Sequence, residues 1–151
     1  MARRSVVEQG TPADGSLLAV LHPWLAVVAH QEPSLSAWRL LAAVVEAFVK
    51  ECEPQEDLRH AEQSLVWNQP DSVAFWLGYA VVDARSAAAR WEEVRSLLQG
   101  RYEQGDVSCV SLLECAAEHA ERATQEAAAA SVQVAAFCGE YGVPLPERAL
   151  G

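Results

Sequence analysis

The feature that most constrains this chain is a pair of long apolar stripes separated by the turn GRYEQG. Across residues 71–99 apolar side chains recur at alternating intervals of four and three, and the same spacing recurs across residues 106–138. Such spacing places the side chains on one face of an α-helix. Two helices joined by a short loop run antiparallel. The sequence therefore predicts a long antiparallel helical hairpin. Its seam comprises Val73, Leu77, Ala80, Ala84, Ala87, Trp91, Val94 and Leu98, facing Cys109, Leu113, Ala116, Ala120, Ala123, Ala127, Ala130, Val134 and Phe137.

The chain before residue 70 also follows a helical pattern, and no segment alternates with the period of two that is typical of strands. Helices are predicted over about 16–31, 34–53 and 55–67. Pro23 either bends the first helix or marks its first turn, and Pro54 ends the second, since proline removes a backbone donor and clashes with the preceding turn. We expect an all-α bundle of about five helices built on the hairpin.

The predicted domain organisation follows from the same pattern. At 151 residues, the chain is long enough for one domain with a real core and too short for two. We expect a flexible N-terminal segment over residues 1–15, a single helical domain over 16–139 and a C-terminal tail over 140–151.

The hairpin changes character along its length. Residues 73–82 and 127–138 are apolar on every side, which predicts that the shorter helices cover that end completely. The opposite end, over residues 85–99 and 107–126, is amphipathic. We expect this end to project as an arm, or to pair with another protein or a second copy. The candidate interface residues on the arm are Arg90, Glu92, Glu93, Val94, Leu98, Glu114, Glu118 and Glu121.

Charge and hydropathy narrow the classes of partner. The formal net charge of −10 disfavours nucleic acid, because phosphate binding needs a basic footprint, and it favours a basic protein partner. Leu17 to Ala29 is the longest apolar stretch near the N-terminus, and it is too short for a membrane span. The first residues show neither the apolar segment nor the small-residue cleavage site of a signal peptide, so we expect none. The four cysteines show no CxxC pair. These features predict a cytoplasmic protein with reduced thiols and no membrane contact.

Candidate chemistry is sparse. Cys115 and His119 lie one helical turn apart and could both ligate a metal, but two ligands do not make a site. Glu56 and His60 form a similar pair. No phosphate-binding loop or hydrolase motif occurs. We therefore predict no catalytic residue, no cofactor and no metal. The side chains that could line an apolar pocket are Phe75, Trp76, Tyr79 and His119.

Three functional hypotheses follow. The leading one is a non-catalytic protein-interaction module, such as a small subunit, adaptor or neutralising partner, that presents an acidic helical surface to another protein or to a second copy. The alternative is a ligand- or metal-binding bundle that could be an enzyme. A third hypothesis is mimicry of nucleic-acid charge to block a basic protein. The polar groups for the alternative would be His22, His30, His60, Cys115 and His119.

Overall fold

The computed structural model describes Pro23, Trp24 and residues 35–150, with the backbone alone for Leu35. These residues form three α-helices and no strand, which confirms the predicted all-helical class. The predicted helix over 16–31 and the segment 1–15 lie outside the described residues, as do His22 and His30; Pro23 and Trp24 are helical. The helices are α1 (Leu35–Val66), α2 (Pro70–Glu103) and α3 (Val110–Tyr141), with 3₁₀ turns at Val107–Cys109 and Glu147–Ala149.

The prediction that Pro54 ends a helix is wrong. Segments 34–53 and 55–67 are one continuous helix with Pro54 inside it, so the described part of the chain has three α-helices where four of the five were expected. A proline in a helix interior costs about 3 kcal/mol. Pro54 is itself buried, and α1 packs along α2 on both sides of this position. We infer that tertiary packing offsets the missing backbone hydrogen bond.

The helix α2 lies between the other two. Both α1 and α3 pack along it, whereas α1 and α3 hardly touch each other. Each neighbour runs antiparallel to α2: the start of α2 contacts the end of α3 around Leu77 and Val134, while its end contacts the start of α3 around Leu98 and Leu112. The predicted antiparallel hairpin therefore supplies two of the three helices, with α2 at the centre of the arrangement.

The predicted seam of α2 is confirmed at every position, because all eight side chains are buried. The seam of α3 is partly shifted. Leu112 and Cys138 are buried, and their neighbours Leu113 and Phe137 are only partly buried. The buried face of α3 is thus displaced by one residue from the predicted seam at both ends.

The turns use backbone conformations that suit glycine. Gly105 follows α2 with φ +100°, and Gly142 ends α3 in the left-handed conformation with φ +67°. Between them, the side chain of Asp106 accepts a hydrogen bond from the backbone N–H of Ser108 and so caps the 3₁₀ turn before α3.

The C-terminal segment folds back onto α2. A Cβ at Gly78 would lie 3.2 Å from the Cβ of Pro146, so the missing side chain admits this close approach. Arg85 donates a hydrogen bond to the carbonyl oxygen of Ala149, which is buried. The guanidinium of Arg148 lies 4.4 Å from the ring centroid of Tyr79, within cation–π distance.

The end that was expected to project as an arm is covered. Trp24, α1 and both hairpin helices form one buried cluster there, which includes Phe48, Trp91 and Leu98. The opposite end, expected to be covered on every side, leaves apolar side chains in solvent: Val132 on α3 is 70% exposed. The arm is covered because α1 is one long helix. A 32-residue helix spans about 48 Å at 1.5 Å per residue and reaches the whole hairpin.

We predict that Val94→Glu destabilises the protein by more than about 3 kcal/mol, because Val94 is fully buried and an unpaired carboxylate there would lose its hydration. The matched control is Val66→Glu, whose wild-type side chain is 82% exposed and whose substitution should cost less than about 0.5 kcal/mol. Urea unfolding followed by circular dichroism measures both. Equal stabilities of the two variants would contradict the packing described.

Candidate functional site

An open groove runs along α2 between α1 and α3, on the side of the bundle nearest the α1–α2 loop. Two adjoining depressions form it, with volumes of about 290 and 190 Å³, and both Leu58 and Gln133 line each of them. Its floor is apolar and mostly small, with Ala80 and Ala84 under the larger depression. The walls are Pro54, Gln55, Leu58, Ala61, Glu62 and Leu65 of α1 and Glu126, Ala129, Ala130, Gln133 and Phe137 of α3.

The continuation of this open groove toward the α2–α3 loop is occupied. Trp91 lies seven residues beyond Ala84 on the same buried stripe of α2. Trp24 packs against it with ring centroids 5.9 Å apart, and against Phe48 at 6.4 Å, and is only 1% exposed. A helical residue from earlier in the chain therefore packs on α1 and α2 beyond the end of the open groove.

A polar bridge crosses between α1 and α3 beside these aromatic rings. The Nδ1 atom of His119 on α3 lies 2.5 Å from the Oε1 atom of Glu51 on α1. The imidazole stacks on Trp91 with centroids 4.3 Å apart and meets the Phe48 ring edge-on at 5.4 Å. Cys115, one turn earlier on α3, also hydrogen-bonds to His119.

These contacts raise the pKa of His119 to about 9. The hydrogen bond with Cys115 contributes most, the hydrogen bond with Glu51 comes next and the charge of Glu51 adds to both, while burial opposes them. The imidazole is therefore protonated at neutral pH, and its cation is paired with a carboxylate that is itself largely buried.

A second polar pair lies between α1 and α2. Burial, followed by a hydrogen bond with Asp83 and the charge of that group, raises the pKa of Asp57 to about 8. Asp57 is 7% exposed. The Asp83 carboxyl disfavours ionisation of Asp57, because two neighbouring carboxylates repel each other. Asp57 therefore carries less negative charge at neutral pH than the sequence alone suggests.

The pocket candidates divide into two groups. Phe75, Trp76 and Tyr79 do form one aromatic cluster, with ring centroids 4.9 to 6.0 Å apart. His60 stacks on Trp76 at 4.3 Å, and Arg148 covers Phe75 and Tyr79. His119 lies in the other cluster with Trp91, so the four side chains do not line a common pocket.

The interface candidates also divide. Val94 and Leu98 are fully buried, which corrects the expectation that they lie on a free arm. The charged members lie at the surface: Arg90 is partly exposed and pairs with Glu46 and Glu93. The exposed carboxylates are Glu92, Glu93, Glu114, Glu118 and Glu121.

Sequence reasoning missed Glu51, Asp57 and the open groove. Glu51 could not be paired with His119 without knowing that α1 reaches α3. Asp57 had a usable signal, because Pro54, Asp57, Ala61 and Ser64 recur at helical spacing once the helix continues through the proline. Among the described residues, no three His, Cys, Asp or Glu side chains are placed to hold a metal ion.

No protein-family model, curated protein or solved structure matches this chain. None of the helices described here has the length and apolar content to cross a membrane.

We predict that His119 makes stability depend on pH. The pKa of His119 is about 9 in the folded protein and 6.5 in the unfolded chain. Its contribution to the free energy of unfolding is therefore fully present below pH 6.5 and is lost as the pH rises toward 9. His119→Gln should remove on the order of 1–3 kcal/mol at pH 6 and much less at pH 9.5. Urea unfolding across this range measures it. His60→Gln is the control, and a His119→Gln loss independent of pH would contradict the assignment.

We predict that Asp57→Asn stabilises the protein as pH rises. The pKa of Asp57 is about 8 in the folded protein and 3.8 in the unfolded chain. The free energy of unfolding of wild type therefore has its full contribution from Asp57 below pH 3.8 and loses it progressively as the pH rises to 8. The variant should exceed wild type by on the order of 1–3 kcal/mol at pH 8 and match it near pH 4. Thermal unfolding compares them, with the exposed Glu118→Gln as control. A variant less stable than wild type at pH 8 would contradict the raised pKa of Asp57.

Proposed function

We propose that this protein is a non-catalytic protein-interaction module whose open groove receives a helical segment of another protein. The observation that supports this most is the open groove itself. Leu65 is 51% exposed on one wall, and Phe137 is only partly buried on the other. Apolar surface of this kind, set between polar rims, is typical of a site that another chain covers.

The packing of Trp24 supports the proposal. Trp24 is a large side chain carried on a helical residue, and it packs on both α1 and α2 beside the Trp91 position of the same stripe. The open groove continues along the same stripe of α2, where Ala84 and Ala80 take the place of Trp91. Smaller floor residues leave room for a side chain supplied from outside.

The acidic surface is the second element of the proposal. Carboxylates stay exposed on α2 and α3, including Glu92, Glu114, Glu118 and Glu121, and the net charge is −10. Such a field speeds the encounter with a basic partner more than it tightens the final complex. We therefore assign steering to the acidic surface and affinity to the open groove.

A ligand-binding bundle is the second candidate. The observation in its favour is the hydrogen-bonded set of Glu51, His119 and Cys115 beside the open groove. The His119 ring is enclosed by Trp91 and Phe48 and its Nδ1 atom is taken by Glu51, so little of it is free for a ligand. Binding of a small molecule to wild type, and loss of that binding in His119→Gln, would support this second candidate function.

We predict that Gln133→Trp blocks partner binding. Gln133 is exposed and lines both depressions, so an indole there fills the open groove without entering the core. Gln125→Trp is the matched control, since Gln125 is exposed on the same helix and lines neither depression.

Immobilised wild type and both variants are exposed to an extract of the source cells. A protein retained by wild type and by Gln125→Trp, but not by Gln133→Trp, is identified by mass spectrometry and its binding reproduced with purified material. Equal retention by all three would remove the open groove from the proposal. Light scattering of each variant reports whether the partner is a second copy.

A further inference from the structure

We infer that the segment held in the open groove is a basic amphipathic helix of another protein, with an apolar stripe facing α2 and Lys or Arg residues on both flanks. This inference rests on the proposed function and names the chemistry of its partner. Three observations carry it: the charge of the rims, the shape of the floor and the length of the open walls.

The rims carry only negative charge among the described residues that line the open groove. Glu62 lies on the α1 wall of the smaller depression, which is nearer the α1–α2 loop and is called the outer depression below. Glu126 lies on the α3 wall of the larger depression, which is called the inner depression. No Lys or Arg is among the described lining residues of either depression. The two carboxylates therefore lie on opposite walls and toward opposite ends, so a helix between them meets one with each flank.

The positions of the carboxylates give the spacing of the cations. Pro54 shares the inner depression with Glu126, and Glu62 follows eight residues later on α1. Eight residues of helix correspond to about 12 Å. A partner helix would need basic residues about two turns apart on opposite flanks to reach both carboxylates.

The floor and walls determine the apolar stripe. Ala80 and Ala84 leave depth over the inner depression, while Leu58, Leu77 and Phe137 form the outer one. From Pro54 to Leu65 the α1 wall is about 17 Å long, which accommodates roughly three turns of helix. Anchors at i, i+4 and i+7 present one apolar face over that length.

A second copy of this chain fits the rims poorly. Every copy is acidic overall, with a net charge of −10, so a segment entering the open groove would have to be a locally basic one. Charge complementarity favours a different, basic partner over an acidic copy.

The test uses two synthetic helical peptides of about 14 residues, long enough to span the open groove. Both carry Leu at i, i+4 and i+7. One carries Lys on its flanks, and the other carries Glu at the same positions. Binding to the full-length protein is measured by fluorescence anisotropy at low and at raised salt. The protein variants are the double substitution Glu62→Gln with Glu126→Gln, the control Glu118→Gln with Glu121→Gln, and Gln133→Trp.

We expect the Lys peptide to bind wild type at least about 10-fold more tightly than the Glu peptide. The Glu62 and Glu126 double variant should lose about 5- to 30-fold and become less sensitive to salt, since two partly exposed ion pairs are removed. The control double variant removes the same charge outside the open groove and should change binding less than about 2-fold. Gln133→Trp should abolish binding, and unchanged thermal unfolding shows that each variant is folded.

Equal binding of the two peptides, blocked by Gln133→Trp, would overturn the basic partner and leave the proposed function standing. Binding of the Lys peptide that neither Gln133→Trp nor the Glu62 and Glu126 double variant weakens would show attraction to the acidic surface at large, and would overturn the site. Failure of both peptides to bind would also overturn the inference, whereas the capture experiment with Gln133→Trp decides the proposed function separately. A dimer of wild type that Gln133→Trp converts to monomer would replace the basic helix with a second copy.

Discussion

The structure depends on the packing of two helices against opposite sides of one buried stripe on α2. That stripe contains three alanines among its eight seam positions, so the backbones of α1 and α3 can both come close to α2. Because both neighbours are held by α2, they have little need to touch each other. The space left between them explains the open groove and the bridge from Glu51 to His119.

Much of the hairpin could be predicted from the sequence, because the interval of four and three is long, regular and bounded by glycines. The eight seam positions from Val73 to Leu98 are buried as expected. The prediction about coverage failed for one reason: Pro54 indicates a break in a helix, and local rules do not include the packing that carries α1 through it. Two separate short helices in place of α1 would not extend along the whole hairpin. On that basis the sequence predicts a free surface that includes Val94 and Leu98.

The candidate site was harder to predict for a related reason. An apolar stripe is a property of a single helix, whereas the open groove combines positions from three helices, such as Leu58, Ala84 and Gln133. None of these positions is unusual within its own segment. The polar bridge has the same character, since Glu51 and His119 are 68 residues apart in the chain. Only the relative placement of α1 and α3 brings them together.

The central position of α2 also bears on how the chain reaches its folded state. Extensive helix contacts among the described residues join neighbours in the sequence, α1 with α2 and α2 with α3. Topologies rich in such local contacts have low contact order and fold in microseconds to milliseconds. Each outer helix can also separate from α2 without first releasing the other, so the two hairpins are natural units of partial unfolding. Hydrogen exchange should then give α2, which belongs to both units, the most protected amides in the protein.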